Sequence, residues 1–586
     1  MSRHPTPRGG RVPRADSPDV RLYWTREYPI VTTQPNGRIW INQYGISHSK
    51  TWNYPFFFPL KLLKHIFTKQ VLSREIEDLE ELDEAKKDLL VEQILGSNGI
   101  DSETYIQVFA TLKIINCLRS LPAFIGAGAS DQKLPLSSDP SGQTRLLFYR
   151  KSKEPLPAYI LTEDKRFSFL EYQYWMVVPF FDNQRQPYDL SWTIVSPYYE
   201  VPHDTETSEE SYRIFGVGRS VSRILIHPLC HAFHTAFDAL QGPGKDMFFA
   251  LKRSRKRKPD SFRKQVEMLQ RFDSTKHPRI VKILATFTRC EENFLVFPWA
   301  THNLNMYWRT ASDTGNVELV RWICCQAWLL VEDISRIHDV PEDPEIPEHK
   351  RLYGRHGDLK PANILWYRSQ EGFGKLLIAD MGLSKTSRFE SKFYYIGEDE
   401  EFDNPCFIPR YRPPEVDYSN DLMGRTFDIW ALGCIFLEML SWLHGGPTRL
   451  QDMEIDLLNS SSQDDRHAHR STAYYEWVYV RDVGFHIVRL KEIVTKWIQT
   501  LRGECSQFAY DFLNIIEDQM LVIDHHERVS ARDLVKKMED LHRKCKESEY
   551  CVKKKEHKPR DAPKPKLQRK EAVRGLKIQG LYLPSL

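Results

Sequence analysis

No two cysteines in this 586-residue chain stand at C-x-x-C spacing, and none of the ten sits with histidines at the spacing of a zinc site. They are expected to be reduced thiols of an intracellular protein without a structural metal. A long apolar run is missing too. The most apolar stretch, Phe56-Phe-Phe-Pro-Leu-Lys-Leu-Leu63, is interrupted by Pro59 and Lys61, well short of the roughly 20 residues a spanning helix needs. The N-terminus, Met1-Ser-Arg-His-Pro-Thr-Pro-Arg, is basic with no apolar stretch behind it, so neither a secretory signal nor a membrane partner is expected. Charge of one sign is scarce as well. With 82 Lys+Arg against 79 Asp+Glu, the net charge of +3 makes no global case for binding nucleic acid. What is present is a chain of 41% hydrophobic content, long enough for two or more domains.

Residues 1–20 are rich in Pro, Arg, Gly and Ser, a composition that predicts disorder. A first folded region, 21–205, is expected to be helical and extended. Ser73 is placed to cap a helix carrying Ile76, Leu79, Leu82, Leu89 and Leu90 and ended by Gly96. Asp101 is placed to cap a second with Ile106, Phe109, Leu112 and Ile115 at helical spacing. Aromatic and β-branched runs between Leu146 and Tyr199, such as Tyr174-Trp-Met-Val-Val-Pro-Phe-Phe181, predict extended segments. The polar stretch His203–Ser211 reads as a boundary, and no chemistry is evident before it.

Chemistry is concentrated further on. In His356-Gly-Asp-Leu-Lys-Pro-Ala-Asn-Ile-Leu365, a carboxylate, Asp358, stands two residues before Lys360 and five before Asn363. That set suits phosphoryl transfer. The carboxylate orients an attacking hydroxyl, the lysine neutralises charge on the moving phosphate, and the amide oxygen helps hold Mg²⁺. Leu376-Leu-Ile-Ala-Asp-Met-Gly382 then delivers a second carboxylate, Asp380, into a glycine turn. The two pieces resemble the catalytic loop and metal-binding turn of the eukaryotic protein kinases.

The resemblance covers about 212–545 and implies an α+β fold. A β-rich small lobe (212–300) and a helical large lobe (301–545) would follow the mainly helical N-terminal extension, with a basic, disordered tail at 546–586. Phe248-Phe-Ala-Leu-Lys252 is similar to the strand whose lysine meets the α- and β-phosphates, with Ala250 beside the base. Gly216 and Gly218 fit a phosphate-covering loop whose third glycine is replaced by Val221. In another alignment only Gly216 fits, and Val221 covers the adenine. Ala300 of the hinge and Leu365 complete the expected base contacts; Phe297 would guard the back pocket. Asp358 would be the base, Lys360 its phosphate-stabilising partner, and Asn363 and Asp380 the Mg²⁺ ligands. His356 would pack internally with Leu269, Ile283 and Met381. Asp428 would hold the catalytic-loop backbone, and Glu415 would pair with Arg528.

The implied reaction carries the γ-phosphate of ATP to Ser or Thr hydroxyls of a protein. Its Ser/Thr character rests mainly on Lys360, because Ile408 replaces the usual threonine. Three further departures motivate a rival reading as a pseudokinase scaffold: the altered glycine loop, Gln265 in place of the lysine-pairing glutamate, and Gly357 in place of an arginine. A small-molecule kinase of the same fold is a third reading. The arrangement is similar to kinase-like proteins of filamentous fungi. The basic runs Lys252–Lys258 and Lys553–Lys577 leave both cytoplasm and nucleus open as locations.

Overall fold

The computed structural model describes residues 46–47, 56–77, 79, 83–96, 103–182, 187–190, 194–201, 221–241, 247–254, 259–271, 279–311, 316–339, 352–369, 372–380, 387–388, 409–418, 424–460, 472–480 and 485–553. The termini, the glycine loop, most of the stretch 381–408 and the boundary at 203–211 lie outside these residues.

The N-terminal unit is built from helices α1 (Leu60–Ile66), α2 (Lys69–Glu75), α3 (Glu84–Leu95), α4 (Ile106–Ile114), α5 (Leu121–Gly126) and α6 (Glu163–Met176). Its caps differ from those expected. Ser73 lies inside α2, its hydroxyl donating to the Lys69 carbonyl. The starts of α2 and α3 are capped by Thr68 and Asp83, whose side chains accept from Val71 N–H and Lys86 N–H. Gly96 does end α3, at φ 84°, while Leu89 points outward at 55% exposure. Helix α4 is capped from outside its own sequence neighbourhood. Asp131 Oδ1 accepts from Gln107 N–H (2.9 Å) and Val108 N–H (3.0 Å). The expected extended run around Tyr174 is largely helix. Glu163 and Asp164 begin α6, where acidic groups favour the positive end of the helix dipole. Phe169 and Met176 of α6 pack inward against α4 and α5. Phe67 meets Phe109 edge-on at 5.0 Å, and Phe124 stacks on Phe169 at 5.0 Å.

The small lobe is one six-stranded sheet of β1 (Tyr188–Asp189), β2 (Tyr198–Glu200), β3 (Val221–Ile226), β4 (Phe248–Arg253), β5 (Ala285–Arg289) and β6 (Glu292–Pro298), in the order β1-β5-β6-β4-β3-β2. All neighbours are antiparallel except β1 on β5. Two of its strands, β1 and β2, come from before residue 212. Between β3 and β4 lies helix α7 (His234–Gln241) and after β4 comes α8 (Pro259–Arg271). One face of the sheet buries Ile224, Phe249, Leu251, Phe287 and Val296 together. On α8, Phe262 and Val266 pack with Ile283 and Leu295.

The large lobe opens with α9 (Leu304–Thr310) and α10 (Val317–His338), the latter within the bounds its apolar stripe predicts. Asn316 caps α10 through Glu318 N–H. The core helix α11 (Thr426–Asn459) bends at Gly446, just before Pro447. Its most apolar window would suit a membrane by length and composition, but 94% of that window is buried within the fold. Glycine at 433 has a steric reason, since a Cβ there would lie 2.9 Å from Leu521 Cδ2. Leu458 and Asn459, expected in a loop, are the last residues of α11. A short sheet of His302–Asn303, Ile364–Tyr367 and Lys375–Ile378 carries the loops that hold the candidate site.

Candidate active site

The stretch 356–363 is held from below by one carboxylate. Asp428, fully buried near the start of α11, accepts from His356 N–H at Oδ2 and Gly357 N–H at Oδ1, both 2.8 Å, and meets His338 Nε2 at 2.9 Å. Burial pushes its pKa up, but these hydrogen bonds outweigh burial and keep it below the usual carboxylate range. Gly357 adopts φ 78°, the left-handed conformation that glycine takes at least cost. His356 is fully buried. Its Nδ1 accepts from Asp358 N–H (3.2 Å), which leaves the ring proton on Nε2 to donate to the Ala379 carbonyl (2.9 Å). One neutral imidazole thus ties the 356–363 loop to the turn carrying Asp380.

Above this base Asp358 meets two partners. Lys360 Nζ is 2.8 Å from Asp358 Oδ2, and Asn363 Nδ2 donates to the Asp358 carbonyl (2.8 Å) and to Oδ2 (3.0 Å). Those donations commit the nitrogen of the Asn363 amide and leave its Oδ1 available to a hard cation. Burial raises the pKa of Asp358, against the opposing charge of Lys360. Asp380 follows the strand Lys375–Ile378, and Ala379 N–H donates to the Asn363 carbonyl at 2.9 Å. Asp380 itself has φ 60°, an unusual backbone for a non-glycine residue. Its carboxylate pairs with Lys252 at 2.6 Å. Burial would raise its pKa, but Lys252 holds it below the usual value. Lys252, Asp380, Asn363 and Asp358, drawn from three separated stretches, therefore form one continuous set.

Strand pairing sets which side chains face this set. Lys252 lies opposite Val221 and Leu295, and Ala250 lies opposite Arg223 and Phe297. Residues directly opposite in a sheet share a face. Val221 therefore stands at the phosphate end, 44% exposed, and Arg223 stands over the base end. The Arg223 guanidinium lies 3.6 Å from the centroid of Phe248 and 5.8 Å from that of Trp299. Ala300, Leu365, Phe297 and Ala379 pack on a buried trio of Val281, Tyr367 and Leu377. Gly216, Gly218, Met381 and Ile408 lie outside the described residues. Gln265 lies in α8, with its side chain outside them too.

Residues 243–538 match the protein kinase domain family. This chain belongs to the protein kinase superfamily. Among its relatives, calcium/calmodulin-dependent protein kinase type I of Schizosaccharomyces pombe is 28% identical over 219 residues, covering 36% of this chain and 57% of that protein. Cyclin-dependent kinase 2 of Caenorhabditis elegans is 27% identical over 165 residues (28% and 38%). Human cyclin-dependent kinase-like 4 is 26% identical over 181 residues (30% and 39%). The chain thus spans at most about half the length of these curated relatives.

The kinase domain closes its large lobe on a buried fork: Arg528 Nη1 and Nη2 each lie 2.6 Å from an oxygen of Glu415. The sequence had no signal for three other features. His338 reaches Asp428 from a distant helix. Arg223 takes the roof position because the loops on either side of β3 fix a register that cannot be counted from the glycines. A third is a buried carboxylate, Glu438, which accepts from Tyr411 (2.9 Å) and Tyr474 (3.3 Å) and meets Arg410 at 3.3 Å. It anchors residues 410–411, just ahead of Pro413-Pro-Glu415.

Proposed function

We propose that this kinase domain is catalytic and transfers the γ-phosphate of ATP to Ser or Thr hydroxyls of a protein. The observation that carries the proposal is the clustering of Asp358, Lys360 and Asn363 beside the Lys252–Asp380 pair. In this reading Asp358 Oδ accepts the hydrogen bond of the incoming hydroxyl and takes up its proton as the oxygen attacks phosphorus. Its raised pKa makes it a better proton acceptor than an exposed aspartate. Lys360, already 2.8 Å from Asp358, moves its charge between that carboxylate and the γ-phosphoryl oxygens. Lys252 holds the α- and β-phosphates and is held in place by Asp380. Asp380 and the free Asn363 Oδ1 form an oxygen donor set that fits Mg²⁺, which when bound neutralises charge between the β- and γ-phosphates. Ala300 offers backbone groups to the base, since Pro298 has no N–H.

A pseudokinase reading is favoured by one specific feature. Gln265 stands where a glutamate would neutralise Lys252, and Lys252 meets Asp380 instead. Retention of the base and both metal-binding side chains supports catalysis over that reading. Intact-mass measurement after incubation with Mg-ATP, paired with a basic-protein substrate and radiolabelled ATP, tests the choice. Incorporation lost in Asp358→Asn supports catalysis; Mg-ATP binding without any transfer supports the scaffold.

A further inference from the structure

The insert between β3 and β4, residues 227–241, touches three hydrophobic clusters in succession. Leu229 is buried in the core of the N-terminal helical unit, among residues of α1 to α6. The next residues turn to the small lobe. Cys230 and Phe233 are buried on the outer face of its sheet, and Ala236 packs on the same cluster. One helical turn later, Leu240 packs on the trio of Val281, Tyr367 and Leu377. Ala236 and Leu240 are four apart on α7 and so lie on one face of that helix.

That last trio is the support of the base pocket. Ala300 of the hinge and Leu365, both assigned above to the base, pack on it, as does Phe297. The Tyr367 hydroxyl also donates to the Pro298 carbonyl at 3.1 Å, tying the large-lobe strand to the hinge. At its other end the insert is fastened by backbone. Phe181 N–H donates to the Cys230 carbonyl (2.7 Å), and Ala232 N–H returns to the Phe181 carbonyl (2.9 Å). The rings of Phe57 and His227 meet edge-on at 5.9 Å. Phe57 packs in the small-lobe core while its neighbour Phe58 packs in the N-terminal core. A shift of the N-terminal unit therefore has a packed path to the hinge that does not cross the cleft.

We propose that the 227–241 insert couples the N-terminal helical unit to the nucleotide pocket, with Leu240 as the positioning residue that fixes the hinge. Leu240 acts through Tyr367 and the hinge rather than by touching nucleotide. The unit of unassigned role at the front of the chain is thereby a control element for nucleotide binding. The inference rests on the nucleotide-binding reading above for its affinity arm only, because hinge mobility can be read without ligand.

The test uses the full chain and its Leu240→Ala, Leu240→Met and Leu229→Ala variants, each confirmed folded by circular dichroism. Amide hydrogen exchange is followed at residues 297–303 without ligand, and Mg-ATP affinity is measured by calorimetry. Leu240→Ala is expected to speed hinge exchange and weaken Mg-ATP by about 5- to 20-fold, the size of a typical coupling between sites, while Leu240→Met restores both. Leu229→Ala, placed in the N-terminal core, is expected to speed exchange at the hinge as well as locally. Hinge exchange unchanged in folded Leu240→Ala, or a Leu229→Ala effect confined to the N-terminal unit, overturns the coupling. Should Leu240→Ala not fold, Leu229→Ala and Leu240→Met decide by the same exchange readout. Failure of the wild type to bind Mg-ATP refutes the nucleotide reading and leaves the exchange arm to decide the coupling.

Discussion

Removing Arg528 should be among the most destabilising single changes in the large lobe. Both Nη atoms lie 2.6 Å from Glu415 oxygens, Nε donates to the Val522 carbonyl (2.7 Å) and Nη1 to that of Thr426 (3.2 Å). The guanidinium also sits 5.0 Å from the centroid of the buried Trp430. Arg528→Met keeps much of the volume but leaves a carboxylate that is 5% exposed without a cation, and two buried carbonyls without a donor. Breaking a buried pair from one side costs about 3–5 kcal/mol. Glu415→Gln keeps one acceptor and costs about 2 kcal/mol, near the value of a charged hydrogen bond. The double variant buries no lone charge and should lose less than the two singles together, by about 2 kcal/mol. Urea denaturation of the four proteins, followed by tryptophan fluorescence, measures all three quantities. Additive losses, or an Arg528→Met cost under about 1 kcal/mol, would refute the reasoning that the pair is desolvated and interdependent.

Other changes separate the chemistry from the scaffold. Lys252→Met should leave the fold intact and slow phosphoryl transfer by about 10²–10³-fold, the usual loss for one preorganised electrostatic contact; steady-state kinetics with a peptide substrate reads this. Asp333, buried in α10 with Oδ2 lacking a hydrogen-bond partner, has its pKa pushed up to about 7 by burial despite Arg279 and Arg336. Its folded pKa lies above the unfolded one, so its contribution is full below about pH 4 and is lost as pH rises through about 7. Asp333→Asn should remove that slope and gain up to about 4 kcal/mol at pH 8, checked by denaturation across pH 4–8. Asp131→Ala should cost about 2 kcal/mol by uncapping α4, seen as faster hydrogen exchange at residues 106–109.

The parts of the fold legible in sequence were those in which chemistry and spacing coincide within a few residues. Asp358, Lys360 and Asn363 share one tight loop, and Phe248–Lys252 is a strand of alternating burial, so their order alone places them. The Glu415–Arg528 fork was legible through the motifs flanking each partner. Helix α6 was not, because Phe167, Phe169, Tyr172, Tyr174 and Trp175 have strand preference; the start signal at Thr162-Glu-Asp164 went unused. The cap of α4 was invisible because Asp131 reaches it through the tertiary fold. Strands β1 and β2 are two and three residues long, too short to carry an alternating pattern. Insert helix α7 owes its place to contacts with three other parts of the chain, and Arg223 owes its place to sheet register. No local pattern encodes either.

The central claim is that Asp358 is the base of a working phosphotransferase. The most direct measurement is γ-phosphate incorporation from Mg-ATP by the full chain and by Asp358→Asn, after both are shown to bind Mg-ATP equally. The account predicts steady incorporation onto Ser or Thr by the wild type and a loss of about 10²–10⁴-fold in the variant. Equal incorporation by the two proteins, or none by a wild type that binds Mg-ATP, would contradict it.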